Sequence, residues 1–178
     1  MQPVSNYRPG VGIVLVNQHG KVFAGHRRDG RQPPWQLPQG GLDQGEGPEE
    51  AVFRELAEEL GTRKGLIVHT LSEWLSYDYP SELASKRARK FRGQQHKWFL
   101  VRFTGHDHDI DLCTDHPEFS QWRWMHLHEV VEEVAPFKRD VYRQVMTHFG
   151  PIIHRLSTNH SSSATLSEIG QLRWNEGV

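Results

Sequence analysis

Cysteine is nearly absent from this 178-residue chain, which has a single one, Cys113. One cysteine excludes an internal disulfide framework and a cysteine-built zinc site, and it fits a reducing compartment. Net charge is nearly absent as well: 21 Lys and Arg against 22 Asp and Glu leave -1. Nothing global draws the chain to polyanions, so neither DNA nor an anionic membrane is an expected partner, and any such attraction must come from a local patch. Long apolar runs are missing. The run VGIVLV at 11 to 16 is far too short to span a bilayer, and the start MQPVSNYRPG lacks the charged-then-apolar pattern of a secretion signal. A cytoplasmic location is the default expectation. There is no internal repeat, and with 36% apolar and 24% charged residues the chain can build one good core but not two.

What is present reads as interleaved strands and helices. Val11 to Asn17 and Lys21 to Ala24 are strand-like around the turn Gln18-His19-Gly20, a predicted hairpin. LIVHTLSEWLSY, HKWFLVRF and QWRWM are further strands. Phe137, Val141, Val145 and Phe149 recur every fourth residue and predict a helix over 137–149. From Gly150 the composition turns to STNHSSSATLSE, poor in large apolar residues, so the expected division is a folded domain over 1–150 and a weakly ordered tail over 151–178. The class is α/β or α+β, with one helix on either side of a sheet.

The stretch GGLDQGEGPEEAVFRELAEELGT at 40 to 62 concentrates six glutamates and one aspartate around a single arginine. Pro48 suits a first helical turn, Glu49 and Glu50 complement the positive end of the helix dipole, and Gly61 supplies a left-handed stop, which predicts a helix from Pro48 to Leu60. At about 100° per residue, Val52, Phe53, Leu56, Ala57 and Leu60 share one face and Glu55, Glu58 and Glu59 another. Like charges at this spacing repel by a few tenths of a kcal/mol per pair, so the cluster calls for open water or a cation. One reading is a solvated face with Arg54 paired to Glu50 and Glu58.

The spacing Gly40, Glu46, Arg54-Glu55-Leu56, Glu58-Glu59, Gly61 resembles the Nudix box, the signature of hydrolases acting on nucleoside diphosphates linked to another group. Thr62 stands where an aliphatic residue is usual. The segments YRPGVGIV, WQLPQGG, GQQHKWFL, PEFSQWRW and FKRDVYRQVM extend the resemblance over roughly residues 6 to 149, toward the bacterial RNA pyrophosphohydrolases and the related hydrolases of dinucleoside polyphosphates. The resemblance implies a Nudix-type α/β/α sandwich with a mixed sheet. It implies a Mg²⁺- or Mn²⁺-dependent enzyme with more than one ion per site, acting on 5′-triphosphorylated RNA or on a dinucleoside polyphosphate such as diadenosine tetraphosphate. A Nudix-fold module that binds nucleotide or RNA without cleaving it is the alternative from another class, although such a module has no need of a complete acidic box.

Carried over by position, the resemblance makes Glu58 and Glu59 metal ligands, Glu55 a further ligand or the group that activates water, and Glu118 a ligand from a distant loop. Glu46, Arg54 and Gly61 become structural members of the motif, with Gly40 bordering the substrate. Hard carboxylate oxygens on one helix face suit such ions. Arg8, Arg27 and Lys138 match phosphate-holding positions, Phe137 is either a stacking surface for a base or core, and Tyr77 either lines the pocket or packs. The loop HRRDGRQPPW is about two residues longer than in the RNA enzymes, which leaves Arg27 and Arg28 as alternatives for one position. Lys86, Arg87, Arg89, Lys90, Arg92, Lys97 and Arg102 form a basic run without an acid, either solvated or a guide for RNA backbone. HDHDID at 106 to 111 has metal-ligand residue types but reads more simply as a hydrated loop.

Overall fold

The computed structural model describes residues 6–30, 33–80, 90–115 and 117–172, with side chains followed to Thr158. Seven strands among them form one sheet: β1 (Tyr7–Val16), β2 (Val22–Arg27), β3 (Trp35–Gln36), β4 (Gln39–Gly41), β5 (Gly65–Asp78), β6 (Gly93–Phe103) and β7 (Phe119–Met125). Their order is β3-β2-β1-β6-β5, with β4 on β1 and β7 on β2. β1 and β6 run parallel from Tyr7 opposite Gly93 to Val16 opposite Arg102, and the remaining pairs are antiparallel, so the sheet is mixed.

Because strand side chains alternate, β1 feeds two cores. Val11, Ile13 and Leu15 meet Ala51, Val52, Leu56 and Leu60 of α1 (Pro48–Leu60) on one face. Val14 and Val16, with Trp98 and Leu100, meet α2 (Leu127–Glu133) and Val141, Tyr142, Val145 and Phe149 of α3 (Arg139–Leu172) on the other. Each fully buried Leu, Val or Phe contributes about 1.5–3 kcal/mol, and truncating Leu56 to Ala would cost about 2–5 kcal/mol. This is the α/β/α sandwich expected.

Several local expectations need correction. The helix predicted over 137–149 starts at Arg139 and runs on to Leu172. Phe137 and Lys138 sit instead in a 3-10 turn, Pro136–Lys138. The fourfold row continues from Phe149 to Ile153, which is buried, and Leu156 packs on the same core, so the core does not stop at Gly150. The predicted hairpin forms but is short, with Val16 opposite Val22 and the Asn17 N–H donating to the Lys21 carbonyl at 2.9 Å, while β2 finds its main partner in β7. On α1 the buried residues are Ala51, Val52, Glu55, Leu56, Glu59 and Leu60; Phe53 and Ala57 are half-buried. Two of the three acids therefore face protein rather than water. The carboxylates of HDHDID tie their own loop: Asp109 accepts from the His106 N–H at 2.8 Å and Lys64 at 2.6 Å, and Asp107 accepts from the Trp124 indole at 3.0 Å.

Candidate active site

α1 is bounded by its caps. Glu50 accepts from the Gly47 N–H at 2.8 Å, Pro48 opens the helix where its missing N–H costs nothing, and Gly61 closes it at φ 66 with its N–H on the Ala57 carbonyl at 3.1 Å. Thus held, α1 lays Glu55 and Glu59 under β4. A Cβ on Gly40 would lie 1.8 Å from the Glu55 carboxylate, so only glycine lets the strand come this close.

Arg54 organises the acids. Its Nε and Nη2 hold the two Glu46 oxygens at 2.7 and 2.8 Å, Nη2 also donates to the Gly41 carbonyl at 2.8 Å, and Nη1 reaches one oxygen of Glu55 at 2.7 Å and of Glu58 at 3.2 Å. The arginine thus staples the loop before α1 to the helix, and Glu50, at the helix start, is not among its partners. Hydrogen bonding to Arg54 holds the Glu46 carboxyl below its ordinary value, and the Glu46 bond raises Arg54 in turn.

Glu59 lies deepest. It is 2% exposed, accepts from the Gln39 N–H at 3.3 Å through Oε2, and its Oε1 has no hydrogen-bond partner among the described residues. Burial first, then Glu118, then Glu55 push its carboxyl well above the usual range. Burial also raises Glu55, against the opposing pull of Arg54. Glu118 immediately precedes β7, and its carbonyl accepts from the Arg28 N–H at 3.0 Å. Among the described residues no three His, Cys, Asp or Glu side chains converge into a closed metal nest, and Arg54 takes one oxygen each of Glu55 and Glu58.

Glu55, Glu58 and Glu118 border a cavity of about 970 Å³ that is also bordered by Arg8, Arg27 and Lys138. Arg27 ends β2, is paired with Asp29, and donates to Gln36 Oε1 at 2.9 Å. Lys138, 5% exposed, donates to the same oxygen at 3.0 Å. Arg28 borders the cavity too, although the side chain bonded within it is that of Arg27. Tyr77 is buried, donates its hydroxyl to Gln94, and packs against Phe137 at 5.5 Å between ring centroids, and both rings also border the cavity. The two readings of Phe137 are therefore compatible, since one half-buried ring touches the core and the cavity together.

Sequence reasoning passed over Gln36 and Gln39. They lie inside the quoted WQLPQGG, but a polar residue on a two- or three-residue strand gives no periodic signal of burial. Of the basic run, Lys86, Arg87 and Arg89 lie outside the described residues. Lys90 is exposed, Arg92 is paired with Asp78 at 2.6 Å, and Lys97 donates to the Ser72 carbonyl at 2.7 Å. Among the described residues no helix is long and apolar enough to cross a membrane.

The model of the NUDIX domain matches residues 6–145. An RNA pyrophosphohydrolase of Roseobacter denitrificans is 50% identical over 146 residues, 80% of this chain and 91% of that protein. One of Rickettsia africae is 47% identical over 148 residues, 83% of this chain and 92% of that protein. Among solved structures, the E. coli dihydroneopterin triphosphate pyrophosphohydrolase matches with a TM-score of 0.59 at 18% identity, covering 78% of this chain and 95% of that one. A C. elegans Ap4A hydrolase matches with a TM-score of 0.59 at 19% identity, covering 81% and 98%. These structures are similar in fold, and the family match and the relatives of higher identity establish that the chain belongs to the NUDIX family of hydrolases.

Proposed function

We propose that the chain is a divalent-metal-dependent pyrophosphohydrolase that removes pyrophosphate from the 5′-triphosphate end of RNA and leaves a 5′-monophosphate. The observation that carries this reading is one cavity bordered both by carboxylates of the box helix and by Arg8, Arg27 and Lys138. The relatives named RNA pyrophosphohydrolase, matched over four-fifths of the chain, support RNA as the substrate.

The residues fit a hard cation. Glu59 is a buried carboxylate with one oxygen lacking a partner among the described residues, beside two further acids, and such an arrangement is costly unless positive charge joins it. Glu58, Glu59 and Glu118 would hold Mg²⁺ or Mn²⁺. When bound, the ions offset the negative charge of the phosphates against an attacking water. Everything else falls to the chain. Arg8, Arg27 and Lys138 hold phosphate oxygens and meet the charge that develops as the phosphoanhydride bond breaks. Glu55, raised by burial, accepts the proton of the attacking water on Oε2, the oxygen that Arg54 does not hold. Arg54 and Gly40 fix Glu55 in place, while Tyr77 and Phe137 form an apolar border beside the phosphates. Residues 1–150 carry this site, and the helix beyond them adds packing through Ile153.

The test is to incubate the protein and Mg²⁺ with triphosphorylated RNA and, separately, with diadenosine tetraphosphate. A higher kcat/KM on the RNA, with pyrophosphate and monophosphorylated RNA as products, is expected. Preference for the dinucleotide would reassign the substrate, and binding without cleavage of either would remove the enzymatic reading.

A further inference from the structure

The buried amide of Gln36 is a feature that the proposed reaction leaves without a role. Its Oε1 accepts from Arg27 Nη1 at 2.9 Å and from Lys138 Nζ at 3.0 Å, so one neutral oxygen gathers two cations that are far apart in sequence. The orientation of the amide is settled by chemistry: both neighbours are pure donors, so the oxygen must face them. That leaves Nε2 pointing into protein, and it has no hydrogen-bond partner among the described residues. Gln36 is 2% exposed, and this donor is buried with it although the residue borders the cavity.

For stability alone, glutamine is a poor choice here. A glutamate would accept from both cations, cancel part of their repulsion and strand no N–H group, and a methionine would fill the space without any polar atom. Glutamine offers what neither does, an acceptor that orients two cations without neutralising them. Arg27 is already partly offset by Asp29. A second carboxylate beside it would leave little net positive charge to meet a phosphate.

Building on the phosphate-binding reading of the cavity, we infer that Gln36 is a positioning residue: its uncharged carbonyl aims Arg27 and Lys138 together at the substrate's phosphate chain and leaves their charge for it. It touches no reacting atom. Its contribution lies in substrate affinity and alignment, transmitted through the two cations.

The experiment uses the full chain and inorganic tripolyphosphate, which presents the phosphates without the RNA. Binding is measured by calorimetry and Tm by thermal unfolding for wild type, Gln36→Glu, Lys138→Met and the double variant. Gln36→Glu is expected to keep or raise Tm while weakening tripolyphosphate about tenfold or more, and this loss should shrink to about threefold in the Lys138→Met background because the two residues act as one unit. Wild-type affinity in Gln36→Glu, a loss that adds fully to that of Lys138→Met, or affinity that falls only in step with Tm would overturn the assignment. If Gln36→Glu does not fold, Gln36→Met decides: weaker binding by a folded protein supports the assignment, and unchanged binding overturns it. Should wild type bind tripolyphosphate and show these differences yet leave triphosphorylated RNA uncut, the proposed reaction fails and the role of Gln36 stands.

Discussion

Replacing Glu59 by Gln is expected to stabilise the metal-free protein at neutral pH while removing most turnover. The amide oxygen can keep the 3.3 Å bond from the Gln39 N–H, so what changes is charge. Burial, Glu118 and Glu55 raise the folded carboxyl above its ordinary value of 4.5. Between that value and the raised one, the folded state retains a proton that the unfolded chain has lost. Stability therefore falls as pH rises through the window, by about 1.4 kcal/mol per pH unit. For a domain of this size, each 1 kcal/mol moves Tm by about 2–4 °C. In chelator, wild type should trail Glu59→Gln by a further ~3–6 °C for each pH unit above the ordinary value, until Glu59 ionises. His96 works in the opposite sense. Burial, aided by Lys138 and Arg8, pushes it down from 6.5 to about 3, so the folded state keeps it neutral and stability is lost as pH falls through that range. Both proteins carry His96, so the informative quantity is the difference between their melting curves from pH 4 to 8. Adding Mg²⁺ should reverse the order, because a ligand at 100 times its Kd stabilises wild type by about 2.7 kcal/mol and the variant much less. Parallel curves in chelator, a destabilised variant there, or a retained kcat would refute the argument.

Gly40→Ala should lower kcat by at least tenfold with little change in KM, because the new methyl must displace the Glu55 carboxylate that lies 1.8 Å from its position; steady-state kinetics on triphosphorylated RNA checks this. Changing Lys86, Arg87, Arg89 and Lys90 together to Ser should raise KM and flatten the salt dependence for that RNA, the slope falling by about 0.7 for each phosphate that is no longer neutralised. Hydrolysis of diadenosine tetraphosphate, which ends at its second nucleoside, should be nearly unaltered. Deleting residues 159–178 should leave Tm and activity on a short RNA near wild type, since Ile153 and Leu156 remain to cover the core. A shorter chain ending at 150 should lose several degrees in the same thermal scan.

How far these features could be read from sequence depended on how local their causes are. The ends of α1 follow from Pro48, Glu50 and Gly61 acting within a turn, and the predicted bounds match those observed. β5, β6 and β7 carry enough β-branched and aromatic residues to declare themselves. The burial of Glu55 and Glu59 is different: a helical wheel sorts positions by residue type, whereas here the glycine of another strand decides what lies over the acids. The helix beyond Gly150 was hidden by its serines and by Pro151, whose missing N–H and ring ordinarily end a helix. The spacing that continues Val145 and Phe149 to Ile153 was nonetheless present, and packing outweighed propensity. The seven-residue α2 and the two shortest strands fall below the length at which any periodicity accumulates.

The parallel pairing of β1 with β6 has a consequence for the order in which the protein is made. Tyr7 must wait for Gly93, and Val16 for Arg102, before the centre of the sheet can form. Such non-local pairing carries the full entropy of closing the intervening chain, and it makes folding slow relative to helix formation. During synthesis the acidic helix is therefore complete while the strand that will anchor β1 has yet to be translated, and Glu118, Gln36's partner Lys138 and the covering helix α3 follow later still. A nascent chain stalled before residue 103 would display the entire signature motif beside β1 to β4, without the complete central strand β6 and without β7. The cavity is thus assembled late, since Glu118 and Lys138 border it beside Arg8, Gly40 and Glu55, which are translated long before them.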